Sequence, residues 1–327
     1  MKFLSGFLAL FLCAALSLHA AGLDDLTWTT TGGEVTITNC REAATGGLVI
    51  PATIEGNPVT SIGRVAFHNC RSLTSITIPD GVTSIGAWGF SGCISLTSIT
   101  LPDSITSIGG AAFSYCRSLT SITIGDGVTS IGSKAFFDCS SLASITIGNG
   151  VTSIGESAFA YCTSLTKITI PDTVTSIGAG AFGNCTSLTS ITIPDRVTSL
   201  GNTTFLQCRS LTKITIGDSV TSIGALAFAE CSSLKNITIP DTVISIGALA
   251  FSECSSLKNI TIPDSVTSIG ELAFGAPNLT SITFLGDAPK AENPFYEATP
   301  TIYRKPEAKG WGKTFDGRPV KLISEKP

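Results

Sequence analysis

Hydrophobic positions return every 23 residues through most of this chain. Residues 70–78, for example, are Cys-Arg-Ser-Leu-Thr-Ser-Ile-Thr-Ile, and lightly varied copies follow in the same register. Nine cysteines share that register: Cys70, Cys93, Cys116, Cys139, Cys162, Cys185, Cys208, Cys231 and Cys254. A fixed period of 20–30 residues is typical of a solenoid, in which each coil buries its apolar side against the next. The pattern therefore predicts one elongated repeat solenoid.

The consensus, counted from Leu73 as position 1, is Leu-Thr-Ser-Ile-Thr-Ile-Pro-Asp-x-Val-Thr-Ser-Ile-Gly-x-x-Ala-Phe-x-x-Cys-x-Ser. We expect positions 1, 4, 6, 10, 13, 18 and 21 to point inward. Alternation at positions 3 to 6 predicts a strand with one buried face, and positions 10 to 13 a second short extended piece. The Ala-Phe-x-x-Cys segment predicts one helical turn that places Phe and Cys in the core. The glycine at position 14 predicts a backbone angle closed to other residues.

The ends of the chain depart from the repeat. Residues 23–47 contain two alternating stretches around Gly32-Gly33, which predict a hairpin that caps the first coil. The solenoid then covers residues 48–284, with eight full repeats in 73–256 and partial or shortened repeats beside them. Residues 285–327 are divergent and predict a second cap or tail, as expected for terminal units that face water.

Residues 1–22 have the features of a secretory signal: Lys2, an apolar stretch and small residues at the end. A retained N-terminal anchor is the alternative, since a membrane helix needs about 20 apolar residues. A lipoprotein site at Cys13 is disfavoured by the bulky Leu12 before it. We expect a secreted or cell-surface protein with no transmembrane segment once the signal is removed.

The charge of the chain excludes some functions and suggests none. Charged residues make up 13% of the chain and the formal net charge is −4, against a usual charged share of about a quarter. No basic tract of the kind that binds nucleic acid is present. The exposed faces should therefore be neutral and rich in Ser and Thr, and we expect a monomer that binds no nucleic acid.

The string Ile-Pro-x-x-Val-Thr-x-Ile-Gly-x-x-Ala-Phe-x-x-Cys-x-x-Leu, as in residues 78–96, closely resembles the BspA-like leucine-rich repeats. The resemblance covers roughly residues 48–284. It implies a curved, right-handed leucine-rich-repeat superhelix, mostly β, that carries a parallel sheet. It also implies a secreted or surface protein of a microbe, since some members act in adhesion or coaggregation. The family offers no catalytic residues to carry over.

The cysteines and aspartates each have a structural and a chemical interpretation. Disulfides or zinc are the chemical alternatives for the cysteines, but stacked equivalents point the same way and cannot all pair, so we expect buried free thiols. An aspartate column could bind calcium, although Asp after Pro is an ordinary turn former. Its members are Asp80, Asp103, Asp126, Asp172, Asp195, Asp218, Asp241 and Asp264. We therefore expect no metal and no cofactor.

Two further functions are weighed as alternatives. A threonine column, Thr77 to Thr261 at position 5, could bind ice, but Lys167, Lys213, Asn236 and Asn259 interrupt the neighbouring rank at position 3. For catalysis, the chain left after signal removal has one histidine, His68, at a variable position, and no recognised catalytic motif. A secreted hydrolase with an unrecognised carboxylate pair stays an alternative. We expect no enzyme.

The positions that vary while the frame is fixed are 15, 16, 19, 20 and 22. Exposed aromatic residues and arginines are the usual anchors of protein interfaces, so these positions predict a binding stripe on the turn edge. The candidate residues are Trp88, Tyr115, Phe137, Tyr161, Arg117, Lys134 and Arg209. The sequence thus favours a non-enzymatic recognition or adhesion protein whose partner is a protein or glycan on another cell or matrix.

Overall fold

The computed structural model describes residues 20–296 and 298–326. Most of the predicted signal, with Lys2 and Cys13, lies outside the described residues. The strands, in chain order, are β1 (Leu26–Thr31), β2 (Glu34–Cys40), β3 (Thr45–Val49), β4 (Thr53–Ile54), β5 (Asn57–Ile62), β6 (Ser72–Thr77), β7 (Ser84–Ile85), β8 (Ser98–Thr100), β9 (Ser107–Ile108), β10 (Ser121–Ile124), β11 (Ser130–Ile131), β12 (Ser144–Ile147), β13 (Ser153–Ile154), β14 (Ser176–Ile177), β15 (Ser190–Thr192), β16 (Ser199–Leu200), β17 (Lys213–Thr215), β18 (Ser222–Ile223), β19 (Ser245–Ile246), β20 (Asn259–Ile262), β21 (Ser268–Ile269), β22 (Ser281–Phe284), β23 (Lys290–Ala291), β24 (Thr301–Arg304), β25 (Thr314–Phe315) and β26 (Arg318–Leu322). Two 3-10 helices, Leu23–Asp25 and Ile323–Glu325, are the helical elements of the described chain.

Most coils contribute one strand to each of two sets of parallel strands, which confirms the predicted solenoid. At positions 3 to 6, the coil that begins at Leu165 has only an isolated bridge from Lys167 to Ser190, and the coil that begins at Leu234 has no strand. Positions 3 to 6 form what we call the front sheet, which is divided into the groups β3-β6-β8, β10-β12, β15-β17 and β20-β22-β24-β26-β25. Positions 12 and 13 form the side sheet, which runs β1-β2-β5-β7-β9-β11-β13-β14 and then β16-β18-β19-β21-β23. Equivalent residues pair in register, as Ile122 does with Ile145.

At the first coil, β1 and β2 pair antiparallel around Gly32 and Gly33. β2 then pairs in parallel with β5, the first regular strand of the side sheet. Val35 and Ile37 of β2 are fully buried, because they occupy the apolar end that a first coil would otherwise expose to water. The hairpin therefore lies over that end of the core.

At the other end the chain continues the solenoid. β24 pairs with β22, and β26 pairs with β24, both in parallel, so the front sheet extends into residues 301–322. Phe295 is buried and its ring lies 6.2 Å from that of Phe274. Trp311 and Phe315 then contact Phe284 and close the core.

The core is built from columns of identical residues. Ten phenylalanines at position 18, from Phe67 to Phe274, are fully buried. Consecutive rings in this column lie 4.9–5.8 Å apart and nearly parallel. The isoleucines at positions 4 and 13, the valine at position 10 and the cysteine at position 21 are buried beside them. The inward positions predicted from the repeat are therefore confirmed.

The segment from position 14 to position 22, which we call the turn segment, contains no helical turn of the kind predicted. In one coil, Val65, Phe67 and Asn69 donate their N–H groups to carbonyls of the next coil, at 3.0, 2.7 and 2.8 Å. The alternate N–H groups, such as those of His68 and Cys70, bond three residues back within the coil. Positions 16 and 20 have φ between +53° and +77° in every full-length repeat. These left-handed residues interrupt a helix and turn every second N–H toward the neighbouring coil.

The expectation for the position 14 glycine is wrong. Gly86 and its equivalents do not have positive φ. A Cβ on Gly155, for example, would lie 2.5 Å from the backbone N of Ser133 and 2.7 Å from the carbonyl C of Gly132. Glycine is required there because the preceding coil's backbone lies too close for any side chain, and not because of the backbone angle.

Candidate functional site

The turn segments present the variable side chains to solvent. Position 18 and position 21 point into the core, whereas positions 16, 20 and 22 project outward. Tyr115 and Tyr161, both at position 20, are 43% and 44% exposed, and Trp88 at position 16 is 38% exposed. Large aromatic side chains with this much exposed area are uncommon on a surface otherwise made of Ser, Thr and short aliphatic residues.

Three of the predicted residues form one contact group, which we call the aromatic cluster: Tyr115, Phe137 and Tyr161. The ring of Phe137 lies 5.6 Å from that of Tyr115 at an interplanar angle of 69°. It lies 5.2 Å from the ring of Tyr161 at 58°. Phe137 is half-buried between the two tyrosines, so the three rings form a continuous aromatic surface across three consecutive coils.

Arg117 joins this cluster through two contacts. Its guanidinium lies 5.7 Å from the ring centroid of Tyr115, within the range of a cation–π interaction. Its Nε and Nη2 donate to Oδ2 of Asp138 at 2.9 and 2.7 Å. The ion pair fixes the guanidinium beside the tyrosine, which lowers the entropy lost when a partner binds there.

Two grooves adjoin the cluster and share Trp88 and Tyr115 as walls. One, of about 540 Å³, is also lined by Phe137, with Lys134 and Glu156 among its polar residues. The other, of about 460 Å³, has His68, Arg71, Ile94 and Arg117 among its lining residues. Each groove therefore offers an apolar wall beside charged groups, an arrangement that suits anchoring side chains of a partner.

The structure does not bring all seven predicted residues together. Arg209 lies four coils beyond Arg117, roughly 19 Å along the solenoid at one strand spacing per coil. Its Nη2 donates to Glu230 at 3.0 Å, and Gln207 donates to the same carboxylate at 2.9 Å. Arg209 thus belongs to a separate polar group.

Sequence reasoning missed several residues of this surface. Arg64 places its guanidinium 4.5 Å from the ring centroid of Trp88, and Ile94 is 39% exposed in the second groove. Both stand at variable positions, 15 and 22, so the register contained the signal. Only the coil geometry shows that position 15 of one coil reaches position 16 of the next.

The cysteines have a structural role. All ten in the described residues are free and buried. From Cys93 to Cys254, each position 21 thiol donates to the carbonyl oxygen of the phenylalanine in the preceding coil, with sulfur–oxygen distances of 3.0–3.2 Å. Burial raises the pKa of the Cys254 thiol to about 12 and raises that of Cys116 as well. Because the thiolate is the reactive form, these thiols are unsuited to catalysis.

Threonine hydroxyls and aspartates bond along the solenoid axis. Thr97 donates Oγ1 to the carbonyl of Thr74 at 3.0 Å, and Thr106 to that of Thr83 at 3.1 Å. These bonds recur at positions 2 and 11. The Asp126 carboxylate accepts the N–H of Asn149, one coil ahead, at 2.7 Å. Among residues 20–296 and 298–326, no group of three His, Cys, Asp or Glu side chains is placed to hold a metal ion.

The geometry of the described residues adds no support to the alternatives of catalysis and ice binding. His68 is exposed, and its Nε2 lies 3.1 Å from Nδ2 of the adjacent Asn69. The tail continues the solenoid rather than forming a second domain. The front sheet is divided into four groups of strands, whereas an ice-binding face requires regular ranks.

The family assignment follows from this architecture and from the comparisons. The model of the BspA type leucine rich repeat region matches residues 60–189 and 175–301 in six copies. The chain therefore belongs to the BspA-type leucine-rich repeat family. No curated protein matches the chain.

The chain is similar to several solved structures of bacterial proteins, and the first of those named here shares its fold. The pneumococcal vaccine antigen PcpA is 21% identical, with a TM-score of 0.57 and 94% of each chain covered. A leucine rich cell surface protein from Faecalibacterium prausnitzii is 28% identical, with a TM-score of 0.48, 86% of this chain covered and 93% of that one. The T. pallidum leucine rich repeat protein is 29% identical, with a TM-score of 0.47, 66% of this chain covered and 91% of that one. In the part of the chain that the structure describes, no helix is long and apolar enough to cross a membrane.

Proposed function

We propose that this chain is a non-enzymatic recognition protein of the cell surface or extracellular space, and that it binds a protein partner through the aromatic cluster. The signal features of residues 1–22 support export. Membership in a leucine-rich-repeat family supports a binding role, since solenoids of this kind present extended surfaces to partners. Because proteins that share a fold bind unrelated partners, the contact residues depend on this chain's own turn segments.

The observation that carries the proposal is the presence of two exposed tyrosine rings at a position whose backbone angle does not favour tyrosine. Tyr115 and Tyr161 both have φ of +62°, where a bulky side chain is disfavoured. Asn69, Gly92 and Asn184 stand at the same position in other coils, and Asn or Gly adopts this angle with less strain. Gln207, Glu230 and Glu253 have the same angle in other coils, so the coil imposes the angle whatever residue is present. The fold therefore does not require tyrosine at these two coils, and exposed tyrosine rings are typical anchors of protein interfaces.

The surroundings fit a protein partner. The three rings, the cation–π contact of Arg117 and the adjacent grooves combine aromatic area with charged groups, which is the composition of interface hot spots. The cluster covers three coils, and the outer two are about 10 Å apart. A surface of this length can form the centre of an interface but is too small to be an entire interface. The surrounding turn segments would supply the rim.

The test exchanges each aromatic residue for the residue that another coil has at the same position. In the triple variant, Tyr115→Asn and Tyr161→Asn copy Asn69, and Phe137→Ser copies Ser114. We expect this variant to lose partner binding, since truncating an interface anchor costs about 2 kcal/mol or more. Its melting temperature should stay the same or rise, because Asn relieves the strained angle.

Binding is measured by a pull-down from cell-surface extracts with the tagged chain, followed by affinity measurement on the captured protein. The matched control changes Thr77, Thr100 and Thr123 on the front sheet to Ala. A partner lost with the threonine variant and kept with the aromatic variant would place recognition on the front sheet. A partner kept with both would contradict the role of either surface.

A further inference from the structure

The front sheet carries an unpaired basic row in the second half of the solenoid. Lys167 and Lys213 are at position 3, and Lys235 and Lys258 are at position 2. All four are exposed. The ion pairs within the described residues are Arg41–Asp25, Arg117–Asp138 and Arg209–Glu230, so none of these four lysines has a carboxylate partner there. We call these four residues the lysine row.

The register fixes the spacing of the row. Lys167 pairs with Ser190, and Ser190 pairs with Lys213, in parallel and in register. The two lysines are therefore two coils apart, about 10 Å, with a serine between them. Between the two lysines lies a shallow cleft of about 390 Å³, lined also by the hydroxyl side chains of Thr169, Thr192 and Thr215 and, at one edge, by Asp172.

The lysines are not needed for the fold at these positions. Other coils have Ser at position 3 and mostly Thr at position 2. At position 2, the threonine hydroxyl bonds the preceding coil, as Thr189 does to Thr166 at 3.1 Å. Lys235 and Lys258 replace that hydroxyl with a solvated ammonium group, so the exchange gives up a hydrogen bond between coils.

The basic surface is narrow, because a row of aspartates lies beside it, and it therefore favours a narrow ligand. The aspartates of position 8, such as Asp172 and Asp218, are five residues further along the same coils. They follow the end of the front strand, and Asp172 lines the edge of the cleft that Lys167 and Lys213 share. The acidic row therefore begins directly beside the basic row. A nucleic-acid duplex would lie over both the basic and the acidic row and be repelled by the second. Single-stranded nucleic acid stacks its bases on aromatic side chains. The exposed aromatics of the described chain, Trp88, Tyr115, Tyr161 and Tyr296, all lie outside the front sheet.

We propose that the lysine row and the hydroxyl groups beside it bind an acidic linear polysaccharide laid along the solenoid axis. A glycan with one carboxylate on every second sugar could place an anion at each of Lys167 and Lys213. The intervening sugar hydroxyls could then bond to Ser190 and Thr192. Charge complementarity supplies the attraction, and the hydroxyl columns give the neutral polar contacts.

The probe is hyaluronan, a linear polymer with a carboxylate on every second sugar, applied to the immobilised full chain at low ionic strength. Neutral dextran, poly-glutamate and single-stranded DNA are compared with it. We expect hyaluronan to bind more tightly than each of these. We also expect binding to weaken strongly in about 1 M salt, where the screening length falls to about 3 Å.

The variants use residues that the repeat already contains. Lys167→Ser with Lys213→Ser should weaken hyaluronan binding by about tenfold, given up to about fivefold per exposed ion pair. Adding Lys235→Thr and Lys258→Thr should abolish it. Lys309→Gln with Lys313→Gln removes the same charge from the tail and should leave binding unchanged. Circular dichroism should show that all variants are folded.

Four results would overturn the proposal: no hyaluronan binding at low ionic strength, equal binding of dextran, tighter binding of poly-glutamate or DNA, or equal effects of the lysine-row and tail variants. The lysine row is separate from the aromatic cluster. Loss of binding here would therefore leave the proposed role of Tyr115, Phe137 and Tyr161 untouched.

Discussion

Gly155 allows a direct test of why every repeat has glycine at position 14. A Cβ at this residue would lie 2.5 Å from the backbone N of Ser133, so the coils would have to separate by about 1 Å to reach ordinary contact. The N–H of Gly155 also bonds to the carbonyl of Ile131 in the preceding coil at 2.9 Å. We therefore expect Gly155→Ala to strain both the packing and the bonds that join these coils.

The expected loss combines two opposing effects. Overpacking against backbone costs about 1–3 kcal/mol, and the contact here is with main-chain atoms that have no alternative rotamer. Replacing Gly by Ala stabilises by about 0.4–1 kcal/mol through the unfolded chain. The net result should be a loss of about 2 kcal/mol in the free energy of unfolding, measured by guanidinium denaturation followed by circular dichroism.

Two other glycines separate the possible causes. Gly110 is at position 15, where other coils have Ala87 and Ala179, and its Cβ would meet only Ser133 O at 3.4 Å. Gly110→Ala should therefore be neutral or slightly stabilising. Gly180→Ala, at φ +64°, should lose only about 1 kcal/mol, because the same gain through the unfolded chain offsets part of the cost of a left-handed angle. If Gly155→Ala were as stable as Gly110→Ala, close approach of the coils would not be the reason for glycine at position 14.

Two further predictions concern the core. Phe159 is stacked between rings at 5.4 and 5.6 Å, so Phe159→Ala should lose about 3–5 kcal/mol of stability. Phe67→Ala should lose less, because among the described residues Phe67 stacks on one ring, that of Phe90; equal losses in denaturation would argue against nearest-neighbour stacking. For the thiols, a maleimide should label the described cysteines in denaturant and almost none in native buffer at neutral pH, and a non-reducing mass that shows several disulfides would contradict this. Burial raises the pKa of Cys254 from 9.0 to about 12. The stabilisation that comes from keeping this thiol neutral is therefore fully present below about pH 9, and the free energy of unfolding falls by about 1.4 kcal/mol per pH unit between pH 9 and 12. In Cys254→Ala, the dependence of the unfolding free energy on alkaline pH should be less steep by one proton.

The features predicted correctly are those that a single repeat encodes locally. Alternation around Ile122 is sufficient to predict a strand with one buried face, and the recurring Phe and Cys predict the core columns. The register then follows from the constant repeat length, because equivalent residues must stack when every coil has the same number of residues.

The features that sequence could not predict depend on the neighbouring coil. Trp88, Lys134 and Leu226 have no preference for positive φ, yet all three adopt it. The angle is imposed because their N–H groups bond to carbonyls one coil ahead. Likewise, a glycine in every repeat is compatible with either an unusual angle or a close contact, and only the coil spacing distinguishes the two. The threonine hydroxyl bonds between coils could not be predicted either, because each depends on a carbonyl of the neighbouring coil.

This division of roles leaves room on one fold for both of the proposed binding surfaces. Backbone bonds, threonine hydroxyls and buried Phe and Cys hold adjacent coils together, which leaves many side chains at positions 3, 16, 19, 20 and 22 free to vary. Lys235 and Lys258, at position 2, are the exception, since each replaces a threonine hydroxyl of the kind that bonds the preceding coil. The aromatic cluster uses such positions on the turn segments of residues 115–161, and the lysine row uses the front sheet of residues 167–258. Because these groups lie on different parts of the coil and on different coils, substitutions in one should not couple to those in the other. A protein partner and an acidic glycan could therefore be bound together, and each surface could change in sequence without loss of the other or of the solenoid.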